Sequence, residues 1–254
     1  MNLSLGERMK RYECSVGNQL VPRCPAIIRC DGRAFHSFTR GFDKPWDWRF
    51  HWCMFETAKA LCDEISTAKF AYGQSDEISI LLVDYDNLQS EQWFGGGVQK
   101  IVSVAASVAT LAFNRTVNQM LKGLDTRFGS YVTDDELMWS KRFMAMFDAR
   151  VCSVPKDDVT NYFVWRQKDA TRNSIQMVAQ SYYSHKQLQG KGWQDLHEMV
   201  FKKGDNWDKY TPGQKRGRVV AYDEGIKWHV IGDTPYFTKD NWLKDNIPTW
   251  GYGK

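Results

Sequence analysis

No Cys-x-x-Cys pair occurs in the 254 residues, and none of the six cysteines (Cys14, Cys24, Cys30, Cys53, Cys62, Cys152) stands near a histidine at the spacing of a structural zinc site. Several lie in apolar runs, where a free thiol behaves as a small hydrophobe, so a reducing, cytoplasmic setting is expected. No apolar run reaches the roughly 18 residues that span a bilayer, and residues 1–10 lack the apolar centre of a signal peptide, so no membrane partner is expected. Internal repeats and low-complexity segments are also missing, which excludes a solenoid. The run Gly95-Gly96-Gly97 has no Gly-Lys-Ser/Thr ending and does not follow a strand directly, so it reads as a flexible helix lead-in and not a phosphate loop. A large charge excess is lacking too: the net charge of +4 permits a polyanionic partner without demanding one.

What is present is ordinary globular material, 43% hydrophobic and 25% charged, enough for one large domain or two small ones. Residues Ala26-Ile27-Ile28-Arg29-Cys30-Asp31-Gly32 form an apolar run bounded by Pro25 and Gly32, the pattern of a short buried strand with Asp31 at its carboxyl end. Asp31-Gly32 reads either as a turn or as a carboxylate mounted on rigid scaffold beside a glycine that lets a ligand approach. A second acidic element, Tyr72-Gly73-Gln74-Ser75-Asp76-Glu77, lies between two apolar runs that look like a hairpin with Gly73-Gln74-Ser75 at its turn. An adjacent antiparallel strand would bring Asp76 level with Asp31. Two partly dehydrated carboxylates repel, and a divalent cation between them resolves the conflict.

In chain order, Leu3 to Glu13 reads as a short amphipathic helix introduced by Asn2 or Ser4 and used for packing. A loop with Gly41 and Pro45 mounts Lys44 on stiff backbone, suited to phosphate contact or simply solvated. Trp48, Trp52, Phe55, Ala58, Cys62 and Ile65 recur at steps of three and four, one helix face, read as core. A second stripe runs from Val98 to Ala112, with Lys100 off it, and Phe143 to Arg150 reads as a further strand. Strand, helix, strand, strand, helix, strand predicts an α+β, ferredoxin-like βαββαβ unit over 1–150, the layout of polymerase palms and nucleotide cyclases. A helical and strand extension, 151–254, is expected to pack with it as one unit.

That extension opens with a long helix from about Pro155 to Tyr183, whose polar middle, residues 165–173, faces either a cleft or solvent. Lys186, Lys191, Lys202, Lys203, Lys209, Lys215, Arg216 and Arg218, interleaved with Trp193, Trp207 and Tyr210, follow. Such a stretch either holds RNA by phosphate pairing and stacking or is an ordinary solvated region. The tail with Trp242, Trp250 and Tyr252 reads as strand and loop.

Five motifs taken in order resemble the tRNA-His guanylyltransferase family: Arg29-Cys30-Asp31-Gly32-Arg33-Ala34-Phe35-His36, Lys44-Pro45-Trp46-Asp47, Tyr72-Gly73-Gln74-Ser75-Asp76-Glu77, Phe147-Asp148-Ala149-Arg150 and Trp165-Arg166-Gln167. The resemblance spans roughly residues 5–220 and implies a palm-fold enzyme that extends tRNA at its 5′ end, 3′ to 5′. It implies that Asp31, Asp76 and the Gly32 carbonyl hold two magnesium ions, with Glu77 an essential acidic neighbour. By the same matching, Arg29, Gly32, Arg33, Ala34, Phe35, His36, Lys44, Asp47, Ser75 and Lys100 would contact GTP or ATP. Arg150, Arg166, Arg172, Asn173, Lys186, Lys215 and Arg216 would hold the tRNA or its 5′ phosphate, and the family's usual homotetramer is carried over. Where eukaryotic members read His-Ile-Asn-Asn-Leu-Tyr-Asn, this chain has Ala170-Thr171-Arg172-Asn173-Ser174-Ile175-Gln176. With Asp169, Arg172 and Asn173 it looks like the bacterial and archaeal guanylyltransferase-like branch, which favours template-directed repair of truncated tRNA over a single untemplated guanosine. A palm-fold cyclase and a non-catalytic tRNA-binding protein are the alternatives.

Overall fold

Side chains alternate along β1 (Ala26–Gly32): Ala26, Ile28 and Cys30 are buried on one face, and on the other Ile27 is buried while Arg29 and Asp31 are half-buried toward the strand's end. The computed structural model describes residues 4–14, 17–128 and 145–249. Its six-stranded sheet has the order β4-β1-β3-β2-β5-β6 and is antiparallel throughout. β1, β2 (Ala68–Gln74), β3 (Glu77–Leu82) and β4 (Phe147–Ser153) are the strands of the expected βαββαβ unit. Ile28, Cys30, Ile78 and Ile80 pack beneath α3 (Trp48–Glu64) and α4 (Val98–Phe128). On the other face Ile27, Phe70, Tyr72 and Leu81 meet Val159 and Phe163 of α5 (Lys156–Tyr182).

The chain beyond residue 150 builds on this same sheet. β5 (Arg218–Asp223) pairs with β2 in the register Phe70↔Ala221 to Gly73↔Arg218, and β6 (Lys227–Val230) pairs with β5. Gly217, at φ 74°, makes the join: a Cβ there would fall 2.6 Å from the Tyr72 hydroxyl and 2.7 Å from the Gly73 carbonyl. Tyr72 in turn donates to the Arg216 carbonyl at 2.7 Å.

Several sequence expectations change. The hairpin turn consists of Ser75 and Asp76, since Gln74 pairs with Glu77, and Ser75 takes φ 49° at the first turn position. Holding a serine there costs roughly 1 kcal/mol, and it fixes where Asp76 emerges. The buried face of α3 is Phe50, Cys53, Met54, Thr57, Ala58, Leu61 and Cys62, whereas Trp48 and Trp52 face outward. Ala58, Cys62 and Ile65 of the expected stripe are buried as expected; the tryptophans depart from it, because an aromatic side chain counts as apolar wherever it points. The first helix, α1 (Leu5–Cys14), carries a Ser4–Glu7 capping box, yet none of its residues is buried. The strand placed at Phe143 begins at Phe147, its first residues lying outside those described. The tail forms a short helix, Trp242–Asn246, with Leu243 buried and the Trp242 ring 5.0 Å from Phe70; Trp250 and Tyr252 lie outside the described residues.

Candidate active site

The acidic residues collect at one end of the central strands. Asp31 stands opposite Glu77 on β3 and opposite Asp148 on β4, and Asp76 comes one step later, where its carbonyl accepts the Gly32 N–H at 3.0 Å. Asp76 is therefore level with Gly32, and Asp31 is its diagonal neighbour. Burial first, then the charges of Asp31 and Glu77, push the Asp76 carboxyl above its ordinary value, against hydrogen bonds from its own backbone and Ser75. Such a corner favours a cation or a proton.

Gly32 itself serves packing. A Cβ at this position would fall 1.4 Å from the Phe35 ring, so the ring lies against the strand where a side chain would stand. Phe35, matched to nucleotide contact by its motif, is buried among Phe38, Phe50, Phe113 and Phe147 at centroid distances of 4.9, 5.8, 5.6 and 5.2 Å. Its neighbours Arg33 and Ala34 are exposed on the turn beyond the strand, and His36 is exposed on the one-turn helix α2 (Phe35–Phe38) that follows. Lys44, Asp47 and Ser75 line one cavity of about 180 Å³, next to Asp76 in sequence, with Trp46 and His51 in its wall. Within it the Asp47 carboxylate is already engaged: it caps α3 through the N–H groups of Arg49 and Phe50 and pairs with the Arg49 guanidinium at 2.7 Å.

Glu77 and Arg166 form a buried bidentate pair, both hydrogen bonds at 2.7 Å, which joins β3 to α5. Burial raises the Glu77 carboxyl, while Arg166 and Arg29 oppose the shift. Arg166 also reaches Asp169 at 3.3 Å, so its charge is spent inside the fold. Arg29 approaches Glu77 at 3.9 Å and keeps a buried Nε without a hydrogen-bond partner, a donor suited to an anion. Arg150, exposed and opposite Arg29 across the β1–β4 pair, bridges to Asp148 at 3.1 Å. Asp148 escaped the sequence reading, although it lies inside a quoted motif; only the cross-strand register puts it beside Asp31.

Other expected contacts are not gathered here. Lys100 starts α4, over the Phe94 ring at 4.6 Å, near the Leu20 to Gly96 hydrogen bond at the far end of the sheet. β3 carries the chain away from the acidic corner before α4 begins, so Lys100, assigned to nucleotide by motif matching, stands apart from the corner within this chain. Arg172 pairs with Asp169, and Asn173 donates to the same carboxylate at 3.4 Å. Lys215 donates to the Asp208 carbonyl and covers the Trp207 ring, and Arg216 donates to the Thr234 carbonyl and covers Tyr236. Lys186 is exposed on a short helix, His185–Leu188, that packs through Leu188. The aromatics expected to stack on RNA are partly core: Trp207 is buried and donates to Ser174, and Tyr210 donates to Asp205.

A family profile described as tRNAHis guanylyltransferase matches residues 6–155, more than half of the chain. The chain belongs to the tRNAHis guanylyltransferase family. Members of this nucleotidyltransferase family act on tRNA, and their fold is shared throughout: a bacterial tRNA(His) guanylyltransferase-like protein in complex with ATP superposes with a TM-score of 0.86 at 39% identity, over 97% of this chain and all of that one. A second structure of the same description, in complex with GTP, gives 0.76 at 34% identity over 97% of this chain and 100% of that one. The tRNA(His) guanylyltransferase of Schizosaccharomyces pombe is 27% identical over 88% of this chain and 82% of its own length. Among the described residues no helix is long and apolar enough to cross a membrane.

Proposed function

We propose that this guanylyltransferase-family protein adds nucleotides 3′ to 5′ to the 5′ end of truncated tRNA, guided by the opposing strand. The observation that carries the reading is the Asp31–Asp76 corner beside the cavity of Lys44 and Ser75, an acidic strand end adjoining a polar space of about 180 Å³ with a lysine in its wall. Among the described residues no three His, Cys, Asp or Glu side chains gather as a metal cage. Two carboxylates with the Gly32 carbonyl suit Mg²⁺, which keeps water and phosphate oxygens as its remaining ligands. Bound there, a magnesium pair supplies charge neutralisation and a more acidic 3′ hydroxyl on the incoming nucleotide.

The chain's own residues do the positioning. Lys44 and Ser75 hold the triphosphate of a GTP or ATP. Arg29 offers its unpaired Nε to phosphate, and Arg150 waits at the exposed edge for the tRNA 5′ end. Glu77 and Arg166 act as a strut that sets the height of Asp76. The attacking group is the nucleotide's 3′ hydroxyl and the acceptor is a 5′ phosphate, carried as a triphosphate or activated with ATP. Assembly as a homotetramer belongs to the same reading.

The test is a tRNA lacking its first 5′ nucleotide, offered all four triphosphates with magnesium. Incorporation that follows the opposing base is the expected result, whereas guanosine regardless of that base indicates tRNA-His guanylylation. Asp31→Asn and Asp76→Asn should each lower incorporation on the order of 10²–10³-fold or more while circular dichroism stays unchanged. Full activity in both variants refutes the assignment.

A further inference from the structure

A second cavity, of about 310 Å³, shares Trp46 and His51 with the Lys44–Ser75 cavity. Trp48 and Trp52, one helical turn apart on α3, line it with 64% and 39% of their surface exposed. Burying that much indole normally stabilises a protein, so leaving both in water suits a surface that is covered only when something binds. The floor is charged. Arg218 lies over the Phe55 ring at 5.5 Å and makes no ion pair among the described residues. Its position is built in: a Cβ on Gly213 would come within 2.4 Å of its Nε, so the glycine leaves room for the guanidinium to cross. Arg218 starts β5 opposite Gly73, two residues before Ser75 on the neighbouring strand, which ties the cation to the acidic corner through the sheet.

Exposed aromatic faces beside an unpaired guanidinium fit one chemistry, a planar base carrying a phosphate. We propose that this cleft holds one unpaired nucleotide of the RNA substrate, with its base against Trp48 and Trp52 and its phosphate on Arg218. The shared wall of Trp46 and His51 sets this unit next to the nucleoside triphosphate, so an RNA end and an incoming nucleotide are held side by side. The inference rests on RNA being the substrate.

The test uses a fluorescein-labelled acceptor-stem hairpin with a single-stranded four-nucleotide tail, and the same hairpin blunt, compared by anisotropy at one salt concentration. Wild type should prefer the tailed form by about tenfold, the scale of one stacked base. Trp48→Ala and Arg218→Gln should each erase that preference and leave blunt-hairpin binding unchanged. Preference surviving in both variants, or missing in a wild type that still binds the blunt hairpin and incorporates nucleotides, overturns this inference alone. Failure to bind either hairpin overturns the RNA reading with it. A change of sedimenting mass in Trp48→Ala, with tail preference intact, shows that a second copy covers the cleft and likewise overturns the proposal.

Discussion

Gly32 and Phe35 show how tightly the acidic corner is tied to the core behind it. Gly32→Ala must displace a ring packed against four other phenylalanines, and overpacking of this kind costs about 1–3 kcal/mol. Urea denaturation should show that loss, and a Phe35→Leu background should reduce it, since the two sites are coupled through one volume. An undiminished cost in that background would mean that the glycine answers to something else. His51 gives a second residue-scale expectation. Burial first, then Arg218, lowers its pKa to about 4, with Asp47 opposing, so the folded protein keeps the imidazole neutral. The unfolded chain therefore binds more protons between about 4 and the ordinary value of 6.5, and stability from this group is complete above 6.5 and lost as pH falls toward 4. His51→Gln should flatten the acid limb of a Tm-against-pH profile relative to wild type; a superimposable acid limb would exclude the contribution.

At the scale of elements, the Glu77–Arg166 bridge connects β3 to α5 across 89 residues of sequence. Both side chains are about nine-tenths buried, so Arg166→Ala strands a carboxylate and should cost ~3–5 kcal/mol in denaturation experiments. Arg166→Lys should recover only part of it, because an ammonium cannot reproduce the forked contact; full recovery would show that charge alone matters. No local pattern announces this pair: the mid-helix polarity at Trp165-Arg166-Gln167 was visible, but its partner is tertiary. Gln167 behaves alike, donating to the Pro235 carbonyl and accepting from the Phe237 N–H. By contrast the position of Asp31 at a strand end and of Asp76 beside a tight turn was legible, because a carboxylate after an apolar run stands out in a short window. The outward turn of Trp48 and Trp52 on α3 and the separation of Lys100 from the acidic corner were not, since both depend on which way a neighbouring element runs.

Among the described residues the strands form one sheet with two covered faces, and this bears on whether residues 1–150 form a separable palm. Removing the rest would leave β2 as an edge with unpaired backbone groups from Phe70 to Gly73, where β5 now pairs. It would also uncover Ile27, Phe70, Tyr72 and Leu81, all nearly solvent-free beneath α5 in the intact chain. Each large side chain of that face contributes roughly 1.5–3 kcal/mol by burial, so uncovering these four forfeits about 6–12 kcal/mol, comparable to the 5–15 kcal/mol that typically holds a domain together. A fragment ending at residue 150 should therefore bind a hydrophobic dye and aggregate, although it contains Asp31, Asp76, Lys44 and Ser75. A monodisperse fragment with a cooperative thermal transition would instead show that the four-stranded unit stands alone and that the later strands and helices serve only the RNA.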